Sequence, residues 1–465
     1  MATCTQRKSR ASGRAKDGLF EVVNPEAGAV DVHSAEMWVC VPEGRATPNV
    51  RRFGTDTVEL EAIAGWLKAC GVTTVAMEST GVYWIPLFQV LENHGLEVCL
   101  VNARHAKNVP GRRKTDRLDC VWLQKLHACG LLAASFRPSA EICRLRSYLR
   151  HRANLVREQA TQQQYLQKAL REMNVLLDQA VSEVTGVTGL RIIEAILAGE
   201  RRPEKLAALA DPRVRKTADQ IARALQGDYR PEHLFVLRQA LQTYRFLHGL
   251  MQDCDQQVDA YLQELQRQSG RENVPLPAAG VTGREKRRGN APQYDVQAHL
   301  YRLVGVDLTR IPGIAASTAQ ALLSETGLSM DPWPTPKHFV SWLDLCPWSK
   351  VSAGKILGPG RRHTGNRAGQ LFRQAAASLR ESPTWLGAFH RRMKAKLGAN
   401  SAKKATAHKL ALIYYHLLQR RTEYRELGAA EYEQRFRERS IRNLRRRARQ
   451  LGLDLVEADL TVKTP

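Results

Sequence analysis

AVDVHSAEMWVCVP, residues 29–42, decides how the first third of the chain is read. Ala29, Val30 and Val32 surround one acid, Asp31, and Met37-Trp38-Val39-Cys40-Val41 follow, so residues 28–42 predict a β-hairpin. Working outward, Val50–Gly54 is a third short strand. Val58, Leu60, Ile63, Trp66 and Leu67 then recur at helical spacing until Gly71. Thr73–Met77 has the composition of a buried strand, with Glu78 at its exit. A helix over Gly81–His94, a strand over Leu96–Val101, a basic loop over Arg104–Lys114 and a helix from Thr115 to Cys129 complete the series.

Three strands followed by helix–strand–helix–strand–helix predict an α/β layer with a mixed sheet, the element order of ribonuclease-H-like folds. On that layout Asp31 lies in the first strand and Glu78 at the end of the fourth. Asp116 and Asp119, three apart, share one face of the last helix. The four acids then converge at one sheet edge. Clustered carboxylates repel one another unless a cation holds them. Phosphodiester chemistry with one or two Mg²⁺ ions needs such a set of oxygen donors with open coordination positions. Asp31, Glu78, Asp116 and Asp119 are therefore the expected metal-binding and catalytic acids. Taken singly, each also fits an ordinary helix-end or surface acid.

Charge points the same way. The 465 residues carry 70 Lys+Arg against 46 Asp+Glu, a net charge of +24, which calls for a polyanionic partner. No apolar run approaches the ~18 residues that span a bilayer, so nucleic acid is expected rather than a membrane. Aromatics at 6% favour backbone contacts over base stacking. Nine scattered cysteines with no CxxC pair read as reduced and buried, and exclude a zinc knuckle. The polar, basic N-terminus lacks the apolar core of a signal peptide, so the expected location is cytoplasmic and DNA-associated.

The middle is helical. Leu166, Leu170, Met173, Leu177 and Ala180, and then Leu234 through Leu265, keep near-heptad spacing. This predicts two coiled-coil arms in an antiparallel pair, around a compact helical piece at about 181–231. His248 interrupts the second seam as a polar, register-setting residue. Ile311-Pro312-Gly313-Ile314 resembles the turn of helix-hairpin-helix modules, whose amides hold a DNA phosphate; an ordinary αα-turn has the same sequence. Lys350-Val351-Ser352-Ala353-Gly354-Lys355, followed by Arg361, Arg362 and Arg367, reads as a flexible Gly-rich loop. Its serine could attack phosphorus, or the loop could simply bind phosphate. The expected nucleic-acid contacts are Lys107, Arg112, Arg113 and Lys114 in the first basic loop, Gly313, the cations Lys350, Lys355, Arg361, Arg362 and Arg367, and Arg445 and Arg446 in the Arg-rich final helix.

With these stretches assembled, the chain resembles the insertion-sequence 110/1111 family of DEDD transposases, most closely the 1111 branch. The matching pieces include VDVHSAEMWVCVP, WLKACGVTTVAMESTGVYWIPLF, LVNARHAKNVPGRRKTDRLDCVWLQKLH, TGVTGLRIIEAILAGE, IPGI, WPTPKHFVSWLDLCP and KVSAGK. The resemblance runs from about residue 20 to the C-terminus. It implies a RuvC-like domain carrying Asp31, Glu78, Asp116 and Asp119, then a coiled coil, then a transposase domain whose nucleophile is Ser352. It further implies a composite site shared between subunits of a homo-dimer or tetramer. It also implies a noncoding bridge RNA that selects double-stranded DNA at the element ends and the target. Two departures stand out: one extra basic residue in the loop before Asp116, and Ala353 where glycine is expected beside the serine.

The resulting layout is a basic arm (1–20), a RuvC-like catalytic domain (21–138), a helical coiled-coil region (139–267), a linker (268–293), a C-terminal transposase domain (294–420) and a basic helical tail (421–465). The expected function is a recombinase of a mobile element that cuts and rejoins DNA through a covalent phosphoserine. The alternatives are a metal-dependent junction endonuclease using water as nucleophile and a non-catalytic nucleic-acid scaffold.

Overall fold

β1 (Ala27–Val32) is buried along its whole length, because it is the centre of a five-stranded sheet. In this computed structural model the described residues are 21–102, 115–275, 289–347, 349–359 and 365–456. The chain divides into two compact units, residues 1–137 and 138–465.

In the first unit β1 pairs antiparallel with β2 (Met37–Cys40), with Val32 opposite Met37 and Asp31 opposite Trp38. β3 (Val50–Phe53) lies antiparallel to β2. On the other side β4 (Thr74–Glu78) runs parallel to β1, and β5 (Glu97–Val101) parallel to β4. The order β3-β2-β1-β4-β5, with β2 alone reversed, is a ribonuclease-H-like, RuvC-like sheet. The hairpin and every later strand of this unit lie where the apolar runs predict them. One helix is shorter than its periodicity: it spans Trp84–Asn93, because Gly81 takes φ +56° and holds residues 81–83 in a turn.

One face of the sheet is covered by the Thr57–Ala69 helix, whose Leu60, Ile63, Ala64 and Leu67 pack on Val30, Val39, Val75 and Met77. Each such buried aliphatic side chain contributes about 1.5–3 kcal/mol. On the other face the Asp116–Ala128 helix is fastened by side chains. The Cys120 thiol donates to Trp38 O (2.9 Å), and Gln124 Nε2 donates to Ala27 O (3.0 Å). Thr115 caps this helix, accepting from Leu118 N (3.3 Å).

The second unit is mostly helical. The Ala140–Glu172 and Pro231–Gln268 helices run antiparallel: Tyr261 OH donates to Glu141 O (3.0 Å), Arg152 pairs with Asp255, and His233 lies 3.4 Å from Glu172. Leu155, Leu247 and Met251 form an apolar stretch of the seam. His248 is half-buried at its edge, 3.5 Å from Gln252 Nε2. Between the two long helices, Ile192, Ile193, Leu206 and Ile221 close a core with Leu166, Leu170, Met173 and Leu237. Further on, Phe339, Phe372 and Tyr414 form an aromatic core, with Phe339 and Tyr414 stacked at 6.1 Å and the Tyr414 hydroxyl 2.9 Å from Thr326 Oγ1. The described cysteines carry no disulfide. The N-terminal arm and part of the 268–293 linker lie outside the described residues.

Buried histidines give the fold an acid limit. His127, at 2.9 Å from Thr74 Oγ1, is held below its ordinary value near 6.5 by burial, and burial likewise depresses His390, His408 and His416. Below that ordinary value the unfolded chain takes up protons that the native chain refuses. The stability these groups contribute is therefore present above pH 6.5 and is lost as pH falls through their depressed folded values. Urea unfolding followed from pH 7.5 to 5 should show the decline. His127→Gln should reduce the slope by up to about 1.4 kcal/mol per pH unit, and a pH-independent stability over that range contradicts the account.

Candidate active site

Asp31 is fixed twice over. It sits on the central strand, opposite Trp38, and only 6% of it is exposed. β1 ends one residue later, and the chain turns back through His33–Glu36, with His33 N donating to Glu36 O (3.2 Å). Asp116 is the first residue of its helix, one past the Thr115 cap, and is well exposed. These two acids and His33 come together: their ligand atoms all lie within 4.8 Å of one another. His33 Nε2 is 3.2 Å from Asp31 Oδ2 and 3.6 Å from Asp116 Oδ1.

Glu78, the last residue of β4, is buried, and its charge reaches Asp31. Burial holds the Asp31 carboxyl above the usual carboxylate range; His33 pulls it down, while Glu78 and then Asp116 push it up. Asp119 lies in the first turn of the same helix as Asp116 and is half-buried, but it is outside the tight three-residue set. At 100° per residue it points about 90° away from the mean direction of Cys120, Leu123, Gln124 and His127, the side that faces the sheet. Asp116 is about 30° from that direction.

The donor set suits a divalent cation. An acid desolvated on a central strand and repelled by two more carboxylates is relieved by a positive ion placed among them. Asp31, Asp116 and His33 supply the nearest atoms, and Glu78 supplies charge. Sequence reasoning missed His33. The available signal was its spacing: residues i and i+2 of an extended segment project to the same side, so a donor two past Asp31 shares its face.

Ser352 lies in the second unit, in a different setting from the predicted one. The stretch taken as a flexible Gly-rich loop is a two-stranded hairpin, β6 (Ser349–Ser352) and β7 (Lys355–Pro359), with Ser352 paired to Lys355. Ala353 and Gly354 form its two-residue turn at φ +46° and +76°, the left-handed geometry that hairpin twist favours. Glycine at 354 meets that need freely, whereas Ala353 carries the strain of a Cβ at positive φ. Ser352 and Lys355 are exposed.

Gly313 has a packing role. Its φ is +83°, and a Cβ there would meet Ala375 O at 2.8 Å and the Leu379 side chain at 3.1 Å. Arg367, the first residue of the Arg367–Ser378 helix, is exposed and lies 3.7 Å from Glu325. Arg445 and Arg446 belong to the Ala429–Gln450 helix, which buries no residue. There Arg442, Arg445, Arg446 and Arg449 line one shallow depression, as i, i+3, i+4 and i+7 spacing requires. The N-terminal half of that helix is anchored by Arg392 stacked over Phe436 and by Trp385 against Tyr432. Lys107, Arg112, Arg113, Lys114, Arg361 and Arg362 lie outside the described residues, as does the side chain of Lys350. Among the described residues no helix is long and apolar enough to cross a membrane.

A transposase family model of the DEDD, IS110 type matches residues 29–175, and the Transposase IS116/IS110/IS902 family model matches residues 307–391. No curated protein matches the chain. The first match spans Asp31, Glu78, Asp116 and Asp119, and the second spans the Gly313 turn and the Ser352 hairpin. The two matches, in this order and over a RuvC-like sheet, agree with each other, and the chain belongs to the IS110 family of transposases, enzymes that recombine DNA.

Proposed function

We propose that this transposase cuts and rejoins DNA with Asp31, Glu78, Asp116 and Asp119 holding one or two divalent cations, Mg²⁺ being the abundant candidate, and with Ser352 as the nucleophile. The convergence of buried Asp31 with Asp116 at the end of β1 carries the reading. A bound cation supplies Lewis-acid polarisation of the scissile phosphate. The acids orient that phosphate by fixing where the charge sits. Ser352 Oγ forms a bond to phosphorus as the bond from phosphorus to a deoxyribose oxygen breaks. The serine proton leaves as Oγ attacks, and the departing oxygen takes one up. A phosphodiester is exchanged for a phosphodiester, so no external energy source is needed for rejoining. Lys355, exposed beside Ser352, would offset charge on the transferring group, and Lys350, Arg361 and Arg362, near it in sequence, are proposed for the same role.

The acids are all contributed by residues 31–119 of the first unit, which favours one second reading: an endonuclease in which water attacks. Denaturing gels of the protein with element-end DNA and divalent cation separate the two. The serine reading expects a protein–DNA adduct that Ser352→Ala abolishes. Cleavage without any adduct, equal in wild type and Ser352→Ala, overturns it.

A homo-dimer or tetramer working with a bridge RNA completes the proposal. The net charge of +24 and the exposed Arg face of the last helix support its nucleic-acid part. Replacing Arg442, Arg445, Arg446 and Arg449 together by Ala should weaken nucleic-acid binding and lower the slope of log K against log salt by about 3–4. An unchanged slope removes this helix from the interface.

A further inference from the structure

We propose that His33 is a ligand of the cation held by Asp31 and Asp116, and that it biases the site toward first-row transition ions such as Mn²⁺ over Mg²⁺. The inference rests on the metal reading given under Proposed function and adds a residue and a selectivity to it.

The distances approach those of a coordination shell. Donors on adjacent corners of an octahedron, each ~2.1 Å from the ion, lie about 3.0 Å apart. His33 Nε2 stands 3.2 Å from Asp31 Oδ2 and 3.6 Å from Asp116 Oδ1. In the ion-free fold Nε2 is within hydrogen-bonding distance of Asp31 Oδ2 and faces one oxygen of each acid, at spacings near those of adjacent donors on one ion. All three donors lie within 4.8 Å of one another, so small side-chain adjustments bring them within the span of about 4.2 Å that one ion with ~2.1 Å bonds can bridge.

The backbone holds the imidazole there. His33 directly follows β1, and the turn is closed by His33 N donating to Glu36 O (3.2 Å) and by Trp38 Nε1 donating to Glu36 Oε1 (3.1 Å). His33 is part-exposed, so its presence beside two acids is not forced by core packing.

An imidazole changes what the site prefers. Carboxylate and water sites suit Mg²⁺ and Mn²⁺ alike, whereas an imidazole donor adds affinity for transition ions, least for Mn²⁺ and increasingly for Fe²⁺, Co²⁺ and Ni²⁺, and adds little for Mg²⁺. A mixed set of two carboxylates and one imidazole, with Glu78 behind, therefore binds Mn²⁺ more tightly than an all-carboxylate set does.

The test uses the full-length protein with Mn²⁺ and no nucleic acid. Pulsed EPR should detect imidazole nitrogen coupled to the bound Mn²⁺, and His33→Ala should abolish that coupling. The same variant should weaken Mn²⁺ binding by about tenfold or more, while Mg²⁺ binding changes by less than about threefold. His33→Asp should restore ion binding but not the Mn²⁺ preference, and Asp31→Asn should remove the ion altogether. An Asp31-dependent ion with no nitrogen coupling, or with coupling that persists in His33→Ala, overturns the role of His33 and leaves the acid site standing. Absence of any Asp31-dependent ion overturns both.

Discussion

Asp31→Asn and Asp116→Asn should each lower DNA cleavage by about 10³-fold or more, with folding intact. The estimate follows from the several kcal/mol that a correctly held ion contributes to the transition state, each 1.4 kcal/mol being tenfold in rate. The side chains keep their shape, so loss of charge is the only change at the centre. Asp31→Asn carries a second signature. Burial and the neighbouring acids Glu78 and Asp116 make an ionised Asp31 unfavourable in the ion-free fold. Its removal should raise the ion-free melting temperature while abolishing the rise that added Mg²⁺ or Mn²⁺ gives wild type. A variant that loses activity by misfolding would instead melt lower under both conditions. Glu78→Gln should likewise lower cleavage, since its carboxylate contributes charge at the centre. Asp119→Asn, outside the tight set, tests whether the fourth acid takes part once substrate is bound.

Asp255→Ala should destabilise the second unit by about 3–5 kcal/mol. Asp255 is 2% exposed on the seam of the two long helices. Arg152 grips it with two bonds, Nε to Oδ1 at 2.5 Å and Nη2 to Oδ2 at 2.9 Å. Gln293 N donates to Oδ2 (3.2 Å), and Arg152 Nη2 donates to Asn290 O (3.2 Å), so the pair also fastens the chain that follows the coiled coil. Removing the carboxylate leaves a guanidinium buried with only a carbonyl. The cost is that of the stranded charge more than of the lost bond. The double variant Arg152→Met/Asp255→Leu should therefore recover most of the loss. Calorimetry should place the single variant's midpoint about 5–10 °C lower. Equal loss in the single and double variants would show that the pair acts by packing alone.

The β-sheet unit was legible because its strands are short apolar runs with turn residues between them. Ala29–Val32, Met37–Val41 and Thr73–Met77 need little tertiary context to be read. The first half of the Ala140–Glu172 helix left no such trace. Arg146 and Arg150 pair with Glu325 on one side and Arg152 with Asp255 on nearly the opposite side, so charge stands where apolar periodicity is sought. The Ser352 hairpin was hidden for another reason. Its strands are four and five residues long, and its turn places alanine where Asn, Asp or Gly is usual. At the acid centre, Asp31 and Glu78 were marked by apolar flanks. A histidine two residues beyond an acid is ordinary in sequence, and only the folded turn shows that His33 reaches both Asp31 and Asp116.

The central claim is that acids from β1, β4 and the Asp116–Ala128 helix gather around one cation. Crystals of the full-length protein grown with Mn²⁺, measured at the manganese absorption edge, test it most directly. An anomalous peak is expected about 2.2 Å from both the Asp31 and Asp116 carboxylates, absent in Asp31→Asn. A protein that takes up Mn²⁺ with no peak between those two residues contradicts it.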